Sequence, residues 1–301
     1  MTYQDFKEAI KNVIQTQLGP DIKVTIQEIT KNNDTHFDGL TILSDHLNIS
    51  PTIYLNFYFR QYCNGKAFDD ICREILSIYR ENCPKSNIDI SFFTDYTKVK
   101  ERIVFKLINY ERNKALLDKI PHIRMLDLAI VFNCLVEATN TGSATILIYN
   151  HHLAFWGITT DDLYELAKAN TPKLLSYDLR DMSAVLKELV SDITVDFDFD
   201  EAACHIPMYV LTNRNKLNGS GCILYQNLLQ NLSEKLDSDL YILPSSVHEV
   251  LLIPADNSHS FENLSDMVKD VNNTQLSREE ILSDHVYLYS RKNKQISMQF
   301  C

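Results

Sequence analysis

Two serines, a histidine and a glutamate lie within the five residues from Ser245 to Glu249, and these are the residue types of a hydrolase triad. In such a triad the imidazole removes the serine proton and the carboxylate orients the imidazole. If Pro244 ends a strand, the segment is a turn, and the next strand directs His248 and Glu249 to opposite faces. Ser246 and His248 could share a face, but no G-x-S-x-G spacing surrounds either serine. The pattern therefore favours a turn between two strands over an active site.

Adjacent histidines, His151 and His152, suggest a metal pair. Neighbouring residues of a strand face opposite sides, so both could bind one ion only from a distorted loop. His46, Asp284 and His285 could join such a site only if the tertiary fold brought them together. Because no spacing such as H-E-x-x-H is present, we predict no metal site.

Acidic residues in the stretch TVDFDFDEAA are spaced partly like the ligands of a calcium-binding loop. That loop needs a glycine after its third ligand, where this chain has Glu201. The alternation of Asp196, Asp198 and Asp200 with apolar residues is also typical of a strand or linker, which we favour here. The chain has neither G-x-G-x-x-G nor a P-loop, and we expect no cofactor.

The overall charge limits the classes of partner. The 301 residues have a formal net charge of −11, which argues against a nucleic-acid backbone or an anionic membrane as the main partner. The seven cysteines are odd in number and form no C-x-x-C, a pattern typical of reduced thiols. No apolar stretch is long enough to cross a bilayer. We therefore predict a cytoplasmic location, with neither nucleic acid nor membrane as partner.

The N-terminal region, residues 1–98, is predicted to contain helices and strands. Thr2 and Asp5 have the spacing of a capping box at the start of an amphipathic helix. The stretches DIKVTIQEIT and FDGLTIL are predicted strands. Ser50 and Pro51 predict the cap and first residue of the next helix.

The remainder predicts two similar units, 99–200 and 201–301. In the first, RIVFKLIN is a strand, a short helix follows, LDLAIVFNCLVE and SATILIYNHHLAFW are paired strands, and TTDDLYELAKANT is a helix. In the second, PMYVLTN is a strand, residues 221–236 are a helix, DLYILP and VHEVLLIP are paired strands, and FENLSDMVKDVN is a helix. Both units thus have the order strand-helix-strand-strand-helix.

Local sequence matches favour a tandem duplication of this unit. The tripeptide that begins at Arg112 is repeated at Arg214, 102 residues later, and Leu163 corresponds to Leu264, 101 residues later. Chance similarity between short helical patterns is the alternative, and the sequence leaves both open. In either case we predict an α+β protein of mostly antiparallel sheets with packed helices.

Each repeated tripeptide follows a strand that ends in asparagine, Asn109 in the first unit and Asn213 in the second. Asparagine suits such corners because its side chain can bind the backbone of the following turn. Arg112 and Arg214 could form a pair of anion-binding groups, since guanidinium presents a planar set of donors. The alternative, which we favour, is that each arginine is solvated or locally paired.

Several longer motifs together resemble a known family. They are DGLTI, ISPTIYLN, FKLINYERNK, LDLAIVF, ILPSSVHEV and ILSDHVY, and the similar region spans about residues 37–291. The family is uncharacterised, occurs in anaerobic Gram-positive bacteria, and is known as domain of unknown function 5688. The resemblance implies a bacterial protein and brings no activity or catalytic residues with it.

For function, we predict a cytosolic, non-enzymatic binding or regulatory module with a protein or small-molecule partner of unknown identity. The alternative is an enzyme, for example a hydrolase, whose site is assembled from loops at strand ends. No residue is predicted to be catalytic. The candidate binding residues are polar groups at strand ends: Asn109, Arg112, Asn150, His151, Asn213, Arg214, Ser246, His248 and Glu249.

Overall fold

The computed structural model describes residues 1–44, 46–48, 50–83, 91–139, 142–191, 207–255 and 260–298. The acidic stretch 196–201, for which a strand or linker is predicted, lies outside these ranges. The chain divides into two compact units, Met1–Phe92 and Phe93–Cys301. The finer division of the second unit into 99–200 and 201–301 stays a prediction.

The first unit has a three-stranded antiparallel sheet in the order β1-β2-β3. Its core is formed where the apolar face of the sheet packs against the helices, with Phe6, Ile10, Leu40 and Ile75 fully buried. The capping box of Thr2 is present, as predicted. The elements are α1 (Tyr3–Leu18), β1 (Ile22–Lys31), β2 (Thr35–Ser44), β3 (Thr52–Tyr54), α2 (Leu55–Cys63) and α3 (Phe68–Asn82).

The predicted helix start at Ser50 and Pro51 is wrong. Residues Thr52–Tyr54 form β3, and α2 begins only at Leu55. The Ser50 hydroxyl bonds the backbone of Ile42, donating to its carbonyl at 2.9 Å and accepting from its N–H at 3.1 Å. The serine therefore ties its segment to β2 and does not cap a helix.

The second unit contains short 3₁₀ turns and the following longer elements. They are α4 (Tyr96–Val99), β4 (Ile103–Asn109), α5 (Lys114–Leu117), β5 (His122–Met125), β6 (Leu128–Thr139), β7 (Gly142–Leu147), α6 (Asn150–Trp156), α7 (Thr160–Leu174), β8 (Tyr177–Asp181), α8 (Met182–Ser191), β9 (Tyr209–Asn213), a 3₁₀ helix (Gly219–Leu224), α9 (Leu228–Leu236), β10 (Leu240–Leu243), β11 (Val250–Pro254), α10 (Phe261–Thr274), β12 (Tyr287–Ser290) and β13 (Gln295–Met298).

These strands form two antiparallel sheets. One has the order β4-β6-β5 with β7 also paired to β6, and the other has the order β13-β12-β10-β11-β9-β8. Their apolar faces share one core, to which Phe105 and Phe132 contribute from the first sheet and Ile242, Leu252 and Tyr287 from the second. Helices α7 and α9 complete this core. The predicted α+β class with antiparallel sheets and packed helices is confirmed.

Two element predictions in this unit are wrong. The strand predicted through Trp156 ends at Leu147, and α6 follows it, with His152 Nδ1 accepting the N–H of the N-cap residue Tyr149. The helix predicted for 221–236 is a 3₁₀ helix followed by α9. Asn227 lies between these two helices and has left-handed backbone, with φ +61°. The predicted helix is therefore interrupted at this residue.

The two predicted repeats have the same strand connectivity. In both, the first strand pairs with the third and the third pairs with the second, giving β4-β6-β5 and β9-β11-β10. In this connectivity β10 has the position of β5, whereas the predicted repeat matched β10 to the stretch LDLAIVFNCLVE, which forms β6. Leu163 and Leu264 are both buried on the helix that follows, as are Ala167 and Val268.

Candidate functional site

The residues Ser245 to Glu249 lie in the connection between β10 and β11. The Ser246 hydroxyl accepts the backbone N–H of His248 at 3.0 Å, and Ser246 pairs with Ile281 in an isolated bridge. Glu249 is exposed. These hydrogen bonds are those of a turn, since the serine bonds to the histidine backbone and not to its imidazole.

Asn150 and His151 lie at the start of α6, apart from the other candidates. Asn150 donates through Nδ2 to the carbonyl of Asp118 at 3.3 Å. The exposed His151 ring stacks on Tyr149, with 5.6 Å between ring centroids. Both residues thus belong to the local structure around the helix start.

Asn213 and Arg214 end β9 and begin the next turn. Asn213 is 1% exposed, and its Oδ1 accepts the N–H groups of Asn215 and Leu217 at 3.2 and 3.1 Å. The Arg214 side chain is exposed, and its backbone N–H donates to the carbonyl of Ser176 at 3.0 Å. The asparagine binds the turn as predicted for a strand end.

Asn109 and Arg112 converge on a segment from the far end of the chain. Asn109 Nδ2 donates to the carbonyl of Leu282 at 3.0 Å, and its Oδ1 accepts the N–H of Arg112 at 2.9 Å. Arg112 Nη2 lies 2.5 Å from the Asp284 carboxylate, which also accepts Asn272 Nδ2 at 2.7 Å. The guanidinium of Arg112 is therefore locally paired, whereas that of Arg214 is not placed beside it.

The same segment forms a polar group that we name the Asp127 cluster: Asp127, Ser283, His285 and Tyr287. Asp127 Oδ2 accepts the Ser283 hydroxyl at 2.7 Å and lies 3.1 Å from His285 Nδ1, while Oδ1 accepts the Tyr287 hydroxyl. The Asp127 side chain is 14% exposed, and Ser283 and Tyr287 are fully buried. Both carboxylate oxygens are thus occupied by protein groups.

The geometry of the Asp127 cluster differs from that of a catalytic triad. Ser283 donates to the carboxylate, and its oxygen accepts the backbone N–H of His285 at 3.0 Å. A triad serine would instead donate to the imidazole. Burial and the Asp127 charge hold the pKa of Tyr287 well above its usual value, so this hydroxyl stays a donor.

A two-residue turn between β5 and β6 places Asp127 in the cluster. Leu126, its other residue, has φ +57°, a left-handed conformation that costs a residue with a side chain about 1 kcal/mol. The Asp127 carbonyl accepts the N–H of Tyr110 at 2.8 Å. The cluster and this backbone bond therefore hold the turn in a conformation that its sequence disfavours.

Beside the cluster lies a cavity of about 500 Å³, which we name the Tyr289 cavity. Its lining comes from the end of β5, the 3₁₀ helix, the start of α9, and the β12–β13 hairpin. The lining residues are Met125, Ile223, Tyr225, Asn227, Leu229, Gln230, Tyr289, Lys294, Gln295 and Ile296. Met125 lies two residues before Asp127, and Tyr289 two residues after Tyr287 on the same face of β12.

One polar group of the Tyr289 cavity has no hydrogen-bond partner among the residues that the structure describes. Tyr289 as a residue is 6% exposed, but its hydroxyl is not a fully buried atom: it is open to the cavity and makes no hydrogen bond to any residue that the structure describes. By contrast, the Tyr225 hydroxyl donates to the carbonyl of Leu175 at 2.6 Å. Burial, and then the nearby Glu234 charge, raise the pKa of Tyr289, so its hydroxyl keeps its proton at neutral pH.

Two residues at the rim of the cavity have left-handed backbone, Asn227 at φ +61° and Lys294 at φ +54°. Asn227 is the N-cap residue of α9, yet its side chain makes no capping hydrogen bond. Within the described ranges, no carboxylate pairs with Lys294. Strained backbone and unused polar groups are features of ligand-binding sites.

Close packing fixes the wall that the 3₁₀ helix contributes. A Cβ on Gly219 would lie 2.2 Å from the Thr212 hydroxyl and 2.5 Å from the His248 carbonyl oxygen. Only glycine permits this approach to the end of β9. Ile223 and Tyr225 are therefore presented to the cavity from a tightly held backbone.

A family model described as a family of unknown function, DUF5688, matches residues 3–291. The chain belongs to this family. The resemblance stated from the motifs is confirmed. No curated protein and no solved structure matches the chain.

Three of the six motifs that carried the resemblance meet at the Asp127 cluster. LDLAIVF supplies Asp127, ILSDHVY supplies Ser283, His285 and Tyr287, and FKLINYERNK supplies Asn109 beside them. Sequence reasoning missed this cluster and the Tyr289 cavity. The alternation of His285, Tyr287 and Tyr289 would have indicated one strand face, although not what lies opposite it.

Two further findings concern the requirements of a membrane-spanning helix and of a metal site. None of the helices within the described residues has both the length and the apolar composition needed to span a bilayer. Across the same residues, no three His, Cys, Asp or Glu side chains are grouped as a bound metal ion would require.

Proposed function

We propose that this DUF5688 protein is a non-enzymatic binding or regulatory module whose ligand is a small amphipathic molecule held in the Tyr289 cavity. The observation that carries the proposal is the Tyr289 hydroxyl, which is open to the cavity and makes no hydrogen bond to a described residue. A ligand bound in the cavity would shield this hydroxyl from water, and leaving a shielded polar group unpaired costs about 1–3 kcal/mol. A ligand that accepts this hydrogen bond offsets that cost.

The size and composition of the cavity support a small-molecule ligand. A volume of about 500 Å³ lies within the range of ligand pockets. Apolar side chains of Met125, Ile223, Leu229 and Ile296 form much of the lining. The remaining groups are mostly polar, which is the usual arrangement for orienting an otherwise apolar ligand.

The hydrolase alternative has no comparable support. Ser246 bonds to backbone, and Ser283 donates to Asp127. Arg112 is occupied by Asp284. An enzyme of this type would need a serine within reach of a free imidazole nitrogen, and neither of these serines has that arrangement.

The proposal is tested by filling the cavity. Ile296 lines it, whereas Ser297 is the next residue of β13 and is exposed. We expect Ile296→Trp to occupy the cavity and Ser297→Trp to leave it open, since consecutive strand residues face opposite sides. Decanoate and decanol serve as amphipathic probes, and ¹H–¹⁵N NMR spectra report where each one binds.

We expect saturable shifts at Leu229, Tyr289 and Ile296 in the unaltered protein and in Ser297→Trp, and their loss in Ile296→Trp. Both variants should retain dispersed spectra, because β13 is an edge strand and tryptophan is favoured in strands. If neither probe binds at these residues, or if Ile296→Trp binds as well as Ser297→Trp, the proposal is wrong.

We further infer that the module acts in the bacterial cytoplasm, without nucleic acid or membrane as its main partner. The net charge of −11 disfavours a polyanionic main partner, such as a nucleic-acid backbone or an anionic membrane surface. The cysteines that the structure describes support a reducing compartment, because each is a free thiol: Cys63, Cys72, Cys83, Cys134 and Cys222. Thiol titration of protein isolated from its bacterial cytoplasm under acid quench should therefore find reduced cysteines.

We also infer that the second unit arose by duplication. The shared connectivity supports it, and so do Asn109 and Asn213, each the buried last residue of the first strand of its repeat. Superposition of residues 102–170 on 207–272 should place these two asparagines together. A superposition that separates them would contradict the duplication.

A further inference from the structure

We infer that the ligand of the Tyr289 cavity carries an anionic group, a carboxylate on an apolar body, that binds between Tyr289 and Lys294. This inference rests on the proposed function and adds the chemical class of the ligand. Both residues line the same cavity, and Lys294 lies in the hairpin that connects the strand of Tyr289 to β13.

The inference follows first from the donor character of the groups that lack partners. An ammonium has three donors and no acceptor, and a protonated phenol can donate one hydrogen bond. The amides of Asn227 and Gln295 add further donors at the rim, and neither is occupied within the described part of the chain. A ligand group with several lone pairs and a negative charge satisfies this set.

The lining also lacks a competing charge. The lining residues that the structure describes include no aspartate or glutamate, although the protein as a whole is acidic. Glu234, the acid that influences Tyr289, lies outside the lining and is bound by Gln230 Nε2 at 2.8 Å. Among the described residues of the lining, Lys294 is therefore the only charged one.

The apolar lining defines the rest of the ligand. Met125 and Ile296 pack against the main core, Ile223 and Leu229 are buried within it, and all four reach the cavity. Aliphatic or aromatic carbon placed against these side chains gains about 25 cal/mol for each Å² removed from water. A fully polar anion such as inorganic phosphate would forgo that contribution, so an amphipathic carboxylate is the better fit.

The test compares three probes that share one chain and differ in charge: decanoate, decanol and decylammonium. We expect decanoate to bind about fivefold more tightly than decanol, as an exposed ion pair of up to about 1 kcal/mol provides. We expect decylammonium to bind most weakly at the cavity, although the net charge of −11 attracts it elsewhere. Calorimetry gives the affinities, and NMR shifts at Tyr289 and Ile296 identify the site.

Lys294→Gln should weaken decanoate about fivefold and leave decanol within about twofold, because only the charged probe loses its counterion. Lys292→Gln is the matched control, since Lys292 is exposed in the same hairpin and outside the lining. It should change neither affinity by more than about twofold.

The outcomes separate this inference from the proposed function. If decanol binds in the cavity as tightly as decanoate, or if Lys294→Gln affects both probes equally, the anionic group is wrong and the binding module stands. If decylammonium binds there as tightly as decanoate, the inference likewise fails. If no probe binds at Tyr289 and Ile296, the proposed function itself is wrong.

Discussion

The Asp127 cluster and the Tyr289 cavity lie side by side, yet their polar groups are used in opposite ways. In the cluster, the Tyr287 hydroxyl donates to a carboxylate whose two oxygens are both occupied. In the cavity, the Tyr289 hydroxyl has no protein partner among the described residues. Two tyrosines on the same face of β12 thus differ in role: the hydroxyl of Tyr287 holds the structure together, whereas that of Tyr289 remains available as a hydrogen-bond donor.

This difference separates stability from binding. A buried hydrogen bond to a charged group contributes about 1.5–3 kcal/mol, so the cluster holds the segment around Ser283 to the rest of the unit. The Tyr289 hydroxyl is open to the cavity and makes no hydrogen bond to a described residue, so it adds little to stability and is available to a ligand. Substitutions in the Asp127 cluster should therefore lower stability and leave ligand affinity unchanged. Substitutions in the Tyr289 cavity should lower ligand affinity and leave stability unchanged.

The largest effect is expected from removing the carboxylate of the cluster. Asp127→Ala leaves the buried hydroxyls of Ser283 and Tyr287 without an acceptor, at about 1–3 kcal/mol for each. We expect the free energy of unfolding to fall by about 4 kcal/mol in urea titrations. Glu249→Ala, at an exposed position, should change it by less than about 0.5 kcal/mol.

Equal stabilities of these two variants would show that the cluster does not hold the fold. Decanoate affinity, measured where Asp127→Ala remains folded, should stay within about twofold of the original, because the carboxylate lies outside the cavity lining.

The sharpest comparison uses one substitution at two positions, Tyr287→Phe and Tyr289→Phe. Tyr287→Phe removes a donor to a charged acceptor and should cost about 2 kcal/mol of unfolding free energy with little change in decanoate affinity. Tyr289→Phe removes an unpaired hydroxyl and should change stability by less than about 0.5 kcal/mol. It should weaken decanoate about tenfold, as loss of a hydrogen bond to a charged group predicts.

Chemical denaturation and calorimetry on the same preparations measure both properties. Tyr241→Phe, on the face of β10 that packs near α10, controls for the loss of a phenol elsewhere in the sheet. The comparison fails if Tyr289→Phe loses as much stability as Tyr287→Phe, or if both variants lose decanoate binding equally.

A smaller effect is expected where a polar group is satisfied in only one protonation state. The His152 Nδ1 accepts the N–H of Tyr149 at 3.0 Å, which requires the neutral ring. Burial, and then His151, hold the pKa of His152 below its ordinary value of about 6.5. The stability that this contact provides is therefore present above about pH 6.5 and is lost as the pH falls below it.

His152→Gln tests this titration, because glutamine at this position of a cap accepts the same N–H without titrating. Between pH 7 and pH 5 the variant should lose less stability than the unaltered protein, by an amount smaller than the Tyr287→Phe effect. An unchanged pH dependence in thermal unfolding would rule out His152 as the titrating group.

The sequence predicted local features better than those set by distant contacts. The capping box at Thr2, the class of the fold and the binding of a turn by Asn213 all depend on nearby residues. The helix start at Ser50 was mispredicted because its hydroxyl binds β2, eight residues earlier in the chain. A local pattern does not contain that alternative partner.

The candidate site was only partly predictable for the same reason. Asn109 and Arg112 were identified as strand-end polar residues, and they lie beside the cluster. Asp127 was not, because its partners Ser283 and Tyr287 are 156 and 160 residues away. The Tyr289 cavity is assembled from four segments, and no spacing in the sequence relates them.

The long separation within the Asp127 cluster also has a consequence for the order of folding. A contact between Asp127 and Ser283 closes a loop of 156 residues, and such contacts form late because the entropy of closure must first be offset by nearer ones. During synthesis from the ribosome, β4, β5 and β6 emerge long before Ser283 does. The Leu126–Asp127 turn must therefore wait, with its carboxylate in water, until the C-terminal segment arrives to complete the domain.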